Sequence, residues 1–167
     1  MNIDIGNIDQ IMRLRLLVLA TPCSGSAFDQ VTTRMQQEAF IDNSRTVRLK
    51  HLFAALVGVP NGPARFELME ILRTNKLTDK TIRENLGLGD YDFTVTVNEQ
   101  IPLSHEVETV LLRSEEISIQ RRKDDSHAVT TKDLLHAMLE QFKDDNHKFK
   151  EQWEFRLVQA ISSGQLR

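Results

Sequence analysis

The chain has 167 residues, a hydrophobic fraction of 40%, a charged fraction of 27% and a net charge of −3, values typical of one globular protein with a well-buried core or two small lobes. The chain has eleven basic and twelve acidic residues up to position 100, and ten basic and twelve acidic residues after it. This even division excludes the basic field that binding to nucleic acid or to an anionic membrane requires. The single cysteine, Cys23, excludes an intramolecular disulfide and a cysteine-based zinc site.

Residues 1–23 are predicted to form an N-terminal extension, amphipathic enough for an extra helix or edge element. The stretch Leu16–Cys23 imitates a secretory signal, but Asp4 and Asp9 occupy the region where a signal carries basic residues, and Pro22 precedes the cysteine. Its apolar run is also too short to cross a bilayer. We therefore expect a cytoplasmic protein.

Three helices are predicted next, from apolar residues that recur at steps of three and four. The first runs from about Ser26 to Asp42. The second runs from about Arg48 to Gly58, where it stops because Gly58 and Pro60 both break helices. The third begins near Pro63, a favoured first-turn residue. The residues expected on the buried faces are Phe28, Val31, Met35, Ala39, Leu49, Leu52, Phe53, Leu56, Val57, Phe66, Met69 and Leu72.

A short fourth helix begins at Thr78 or Thr81 and ends at Gly87, and Thr81 with Glu84 has the spacing of a capping box. The alternation of residues 91–97, YDFTVTV, then predicts an extended linker or a short strand. We assign residues 91–100 to this linker.

The second half, residues 101–167, repeats the helical plan. Pro102 and Ser104 open a helix, and Thr130 with Asp133 caps another. A charge cluster at residues 121–126 is expected to be a solvated loop. The inner faces are expected to be Val107, Val110, Leu111 and Ser114 in the first helix, Leu134, Leu135, Met138 and Leu139 in the second, and Phe149, Trp153, Leu157 and Ile161 in a last long helix ending at Gly164.

The two halves are also alike in sequence. Residues 47–57, VRLKHLFAALV, align without a gap with residues 129–139, VTTKDLLHAML, at a constant offset of 82 positions. Such an internal duplication constrains the whole fold. Identical residues meet at Val47 and Val129, Lys50 and Lys132, Leu52 and Leu134, and Ala55 and Ala137.

These helices resemble the Clp repeat, which forms the N-terminal domain of Clp-type AAA+ unfoldases of the ClpA, ClpB and ClpC groups. Residues 101–118, IPLSHEVETVLLRSEEIS, resemble the family's IPFTPRAKRVLELALEEA, and VTTKDLLHAMLE resembles its IGTEHLLLGLLR. The resemblance covers about residues 24–163. It implies an all-α fold of two pseudo-twofold-related four-helix repeats, residues 24–90 and 101–167.

The resemblance also implies a function. In the family this domain docks substrates and adaptor proteins for a motor further along the chain, so we expect a noncatalytic protein–protein interaction module that binds a protein or peptide partner. The partner-binding groove would come from the starts of the repeat helices. By resemblance, its residues are Ser24, Leu49, Lys50 and His51 in one half and Ser104, Thr131, Lys132 and Asp133 in the other.

Two departures from the family pattern change the expected partner. The glutamate of the family's GTEH is a lysine in both copies, Lys50 and Lys132. Because a lysine repels a guanidinium group, phosphoarginine recognition is not expected, and acidic partners are an alternative. The chain also contains no GxxxxGK[ST] phosphate loop. This absence leaves a second hypothesis, a stand-alone accessory subunit that regulates a Clp ATPase or protease.

No catalytic, cofactor-binding or metal-binding residues are assigned from the sequence. Asp133, His136 and Glu140 lie on one helix face and keep a metal-dependent hydrolase as an alternative from another class. A solvated polar face is the preferred explanation, because no second pair of ligands with matching spacing appears in the sequence. The glycines of GLGDYDF, residues 87–93, suit a helix end better than a phosphate cradle. We expect a protein without a cofactor.

Overall fold

Helices form where the apolar residues recur at helical spacing. The computed structural model describes residues 27–59, 63–92, 94–121, 129–141, 157–158 and 161, apart from the side chains of residues 63–67 and 121. Within these ranges the chain has six helices and no strand, so the all-α prediction is confirmed. The helices are α1 (Ala27–Ile41), α2 (Leu49–Gly58), α3 (Pro63–Thr74), α4 (Asp79–Leu86), α5 (His105–Arg121) and α6 (Thr131–Glu140).

The core lies around α2, which contacts α1, α3, α4, α5 and α6. Seven consecutive residues of α2, His51 to Val57, are buried, so this helix is surrounded on all sides rather than amphipathic. The predicted inner faces of α1, α5 and α6 are also confirmed, including Ser114, which is fully buried and donates its hydroxyl to the Leu111 carbonyl at 2.6 Å. Leu157 and Ile161 are buried as predicted.

Sharp helix ends turn the chain back on itself. After α1, Asn43 adopts a left-handed φ of 51° and the Ser44 N–H donates to the Ala39 carbonyl at 2.9 Å, which is the Schellman arrangement. Asn43 thereby ends α1 and brings Asp42 close to the start of α2. Lys76 and Gly87 end α3 and α4 in the same way, with φ values of 56° and 68°.

The two halves of the chain are joined by a short main-chain bridge. Val47 pairs in parallel with Leu103: the Val47 N–H donates to the Pro102 carbonyl at 2.8 Å, and the Ser104 N–H donates to the Val47 carbonyl at 2.9 Å. The bridge attaches the chain just before α5 to Val47, two residues before α2. It therefore places the N-terminal end of α5, in the second half, beside the N-terminal end of α2, in the first half.

Two local predictions are wrong. The capping box of α4 is formed by Thr78 and Thr81, because the Thr78 N–H donates to the Thr81 hydroxyl at 2.7 Å, so the predicted pair of Thr81 and Glu84 lies one turn too late. Met69 is 49% exposed instead of buried. Leu68 and Leu72, one turn apart, form the buried stripe of α3 instead.

The described residues of 91–97 form no strand, which removes that alternative, and Thr94 lies in a turn. The predictions for the N-terminal extension, for most of the charge cluster, and for Phe149 and Trp153 lie outside the described residues. None of the described helices combines the length and apolar character needed to cross a bilayer.

Candidate functional site

The corner between α1 and α2 contains an ionic cluster built from predicted site residues. Lys50 Nζ and His51 Nε2 both lie 2.9 Å from Oδ2 of Asp42. The Lys50 side chain is only 13% exposed, and the His51 side chain is fully buried. Leu49 is half-buried and packs against the core. The positive charge of Lys50 is therefore compensated within the protein.

The hydrogen bonds of His51 determine which of its nitrogens carries the proton. The Arg48 N–H donates to His51 Nδ1 at 2.9 Å, so Nδ1 must be unprotonated and the ring proton lies on Nε2, which donates to Asp42. Burial lowers the pKa of His51 below its ordinary value, although Asp42 acts in the opposite direction. The histidine is thus neutral at neutral pH, with its ring oriented from both sides.

Asp42 is ionised in this cluster. Burial raises the pKa of its carboxyl, but the hydrogen bonds and charges of Lys50 and His51 outweigh that effect and leave the pKa below its ordinary value. Lys50, His51 and Asp42 bond to one another at 2.9 Å, and the Arg48 N–H bonds to the same histidine, so the cluster caps the start of α2.

The predicted residues of the second half also lie at a helix start. The Thr130 N–H and hydroxyl donate to Oδ2 of Asp133 at 2.8 and 3.0 Å, which confirms the predicted cap. Thr131 and Asp133 are buried, at 2% and 1% exposure, and Lys132 is half-buried. Because Thr131 and Asp133 are buried, their side chains can line the predicted partner-binding groove only after a local rearrangement.

Ser104 lies at the seam between the two halves, where it accepts the Val107 N–H at 3.4 Å as the cap of α5. Through the Val47 bridge it lies near the start of α2, so the structure brings this one residue of the second half close to Leu49 and Lys50. Ser24 lies outside the described residues.

A groove of about 400 Å³ lies between α1 and the linker. Threonines, glutamines and two valines line it, more of its surface is apolar than polar, and among the described residues Glu99 is the only charged one in its walls. The lining residues are Thr32, Thr33, Gln36, Gln37, Val95, Thr96, Val97, Glu99 and Gln100.

Two neighbouring glutamines of α1 attach the linker to the helix. Gln36 pairs with Ile101 in both directions: its amide nitrogen donates to the Ile101 carbonyl at 3.0 Å and its oxygen accepts the Ile101 N–H at 2.8 Å. Gln37 donates to the Val95 carbonyl at 3.3 Å and accepts the Tyr91 hydroxyl at 2.7 Å. The side chains therefore replace a partner strand at both ends of the groove.

A buried charge network supports the same region. Glu38 is fully buried, and its two oxygens accept Arg83 Nη1 and Nη2 at 2.7 and 2.8 Å. Arg34 Nε lies 3.4 Å from the same carboxylate, and its guanidinium lies 3.3 Å above the Tyr91 ring. The network connects α1 and α4 to the first residue of the linker.

Sequence reasoning missed these groove and network residues. The spacing of Arg34 and Glu38 at i and i+4 was a visible signal, and the carboxylate in an otherwise apolar stripe of α1 was another. Nothing in the sequence indicates that Gln36 and Gln37 bond to backbone about sixty residues away.

The residues of the metal-site alternative are engaged elsewhere. Asp133 caps α6, and both Glu140 oxygens accept Arg113, from Nε at 2.7 Å and from Nη2 at 3.3 Å. Within the described ranges, no three His, Cys, Asp or Glu side chains are placed to bind a metal ion together. His136 thus has neither neighbour available as a second ligand.

Comparison with known proteins adds no assignment: no model of a known protein family matches the chain, and no curated protein matches it in sequence.

Proposed function

We propose that this chain is a noncatalytic protein–protein interaction module of the Clp-repeat type, which docks substrate, adaptor or partner peptides. The observation that carries the proposal is the equivalence of α2 and α6. Both helices are ten residues long, and they begin and end 82 positions apart, Leu49 with Thr131 and Gly58 with Glu140. This is the same offset that relates the two sequences.

The same hydrogen bond starts both helices. In α2 the Arg48 N–H donates to the side chain of His51 at 2.9 Å, and in α6 the Thr130 N–H donates to the side chain of Asp133 at 2.8 Å. The acceptor of this N-terminal hydrogen bond is an imidazole in α2 and a carboxylate in α6, at positions related by the repeat. This agreement supports a duplicated helix pair.

The first helices of the two halves have matching buried positions as well, at an offset of 79. Phe28, Val31 and Met35 of α1 correspond to Val107, Val110 and Ser114 of α5, and all six are buried. Each of these helices packs mainly on the capped helix that follows it, α1 on α2 and α5 on α6. Both pairs thereby support the resemblance to a two-repeat domain.

A native pull-down with the tagged chain, in the presence and absence of ATP, tests the proposal by mass spectrometry. Recovery of a Clp ATPase or protease subunit supports the module and indicates an adaptor or accessory role; recovery of other discrete partners supports a free-standing docking module. A chain that captures nothing beyond the tag-only control contradicts the proposed function.

The acidic-partner alternative requires a variant pair at equivalent positions. Lys50→Gln and Lys132→Gln each remove one charge without placing a new carboxylate beside Asp42, which lies 2.9 Å from Lys50. If the lysines select acidic partners, both variants bind less partner than the wild-type chain. Unchanged partner recovery from the double variant contradicts this selectivity.

A further inference from the structure

We infer that the groove between α1 and the linker binds an extended, lysine- or arginine-bearing peptide through main-chain hydrogen bonds to residues 96–100. This inference rests on the proposed docking function and identifies its partner chemistry and its site. It assigns the recognition to residues outside the helix starts that the family resemblance indicates.

The linker is stretched between fixed points. It is attached to α1 through Tyr91 and Val95 on one side and Ile101 on the other. The exposures of residues 95–98 alternate between half-buried and exposed, as expected for an extended backbone whose side chains point to opposite faces. This alternation supports an extended backbone over residues 95–98, outside any sheet, between a turn at Thr94 and a bend at Glu99.

The backbone between these fixed points is unpaired. Within the described part of the chain, the N–H and C=O groups of residues 96–100 make no hydrogen bond to protein. A row of free main-chain donors and acceptors beside a groove is the template used in recognition by strand addition. An incoming peptide would pair with those of these groups that face it, without any change in the six helices.

Charge selects the kind of peptide. Glu99 is exposed and, in the part of the chain that the structure describes, is the only charged residue lining the groove. The linker, residues 91–100, carries a second exposed carboxylate, Asp92, and no lysine or arginine, and the nearby Arg34 and Arg83 are paired with the buried Glu38. A peptide with basic side chains complements this field, whereas an acidic peptide is repelled. The valines of the groove offer apolar surface to the methylene stems of such side chains, and the threonine hydroxyls and glutamine amides offer oxygen acceptors to their charged ends.

An array of random ten-residue peptides, probed with the purified full chain, tests the inference. The bound peptides should be enriched in lysine and arginine. Glu99→Lys should weaken binding to them roughly tenfold. The matched control is Glu70→Lys, an equal charge change at an exposed glutamate of α3 outside the groove, and it should leave binding unchanged.

A second measurement separates main-chain pairing from charge attraction. The strongest binder is resynthesised with N-methyl groups on alternate backbone nitrogens, which removes hydrogen-bond donors and keeps every side chain. We expect the affinity to fall at least tenfold. In ¹⁵N-resolved spectra of the chain, the unmethylated peptide should shift the amides of residues 96–100.

Three results overturn the inference. In the first, the bound peptides are not enriched in lysine and arginine, or their affinity changes neither with Glu99→Lys nor with N-methylation. The docking function is then retained, but its site lies elsewhere on the chain. A wild-type dimer that Glu99→Lys dissociates makes a second copy of the chain the occupant. An array without any bound peptide contradicts the inference, and the separate pull-down then decides whether the docking function fails with it.

Discussion

Removing Arg83 should destabilise the fold strongly, because a buried carboxylate, that of Glu38, loses its two shortest hydrogen bonds. In Arg83→Ala, Glu38 remains fully buried, Oε2 loses its 2.8 Å partner, and Arg34 Nε at 3.4 Å from Oε1 is the remaining guanidinium contact. Breaking a buried ion pair from one side costs about 3–5 kcal/mol. Arg83 itself is 16% exposed, so water can enter the vacated space, and we expect the lower end, about 3 kcal/mol.

The assay is urea and thermal unfolding followed by far-ultraviolet circular dichroism. At about 2–4 °C per kcal/mol for a chain of this size, Tm should fall by about 6–12 °C. Arg113→Ala is the control, because Arg113 also forms a 2.7 Å ion pair, with Glu140, but both side chains are more exposed, at 33% and 48%. Its free energy of unfolding should remain nearly unchanged.

A double variant checks the reasoning about the unpaired charge. Glu38→Met combined with Arg83→Met replaces the pair by apolar side chains of similar length and should recover most of the stability lost in Arg83→Ala. The explanation is refuted if Arg83→Ala costs less than about 1 kcal/mol, or if the double variant is no more stable than Arg83→Ala.

Three further predictions concern other contacts. Burial lowers the pKa of His51 in the folded protein. The contribution of His51 to the free energy of unfolding is therefore fully present above its unfolded pKa, 6.5, and decreases as pH falls below that value, because the unfolded ring takes up a proton. His51→Gln should flatten this decrease in unfolding curves measured between about pH 7 and pH 5. Gly58→Ala places a Cβ 2.7 Å from a guanidinium of α1, whereas Gly89→Ala meets nothing within 4 Å; only the second should raise Tm. Gln36→Ala should speed hydrogen exchange of the Ile101 amide, whose acceptor it removes; an unchanged rate would contradict the role of this glutamine as an attachment point.

The helices were predictable because their apolar residues repeat with the helical period. The limits of α1 and α2 lie within one residue of the structure, and the left-handed Gly87 ends α4 as its sequence indicates. The error at Met69 has a simple cause. Residues 66–72 contain five apolar side chains, at positions 66, 68, 69, 71 and 72, which span more than one face, so spacing alone did not identify Leu68 as buried.

The groove was not predictable, because it depends on contacts between distant parts of the chain. Gln36 and Gln37 occupy positions of α1 that sequence reasoning treats as solvated, and their partners are the backbone groups of residues 95 and 101. A backbone acceptor has the same chemistry at every residue, so no side-chain pattern indicates which one a glutamine contacts. Lys50 was predicted to recognise a partner. Aligning the two repeats likewise gives no indication of its ion pair with Asp42.

Helix α1 couples the groove to the core, and this coupling decides how the two can be tested separately. Gln37 lies on the groove side and Glu38 on the buried side, and Tyr91 connects them because its hydroxyl bonds to Gln37 while its ring lies under Arg34. Loss of Arg83 disturbs the Glu38 network and, through Arg34, the first attachment point of the linker. Arg83→Ala should therefore lower Tm and peptide affinity together, whereas Glu99→Lys, which changes an exposed residue, should lower affinity and leave Tm unchanged. A variant set in which affinity always follows Tm would mean that peptide binding reports only on folding and that the linker is not a recognition element.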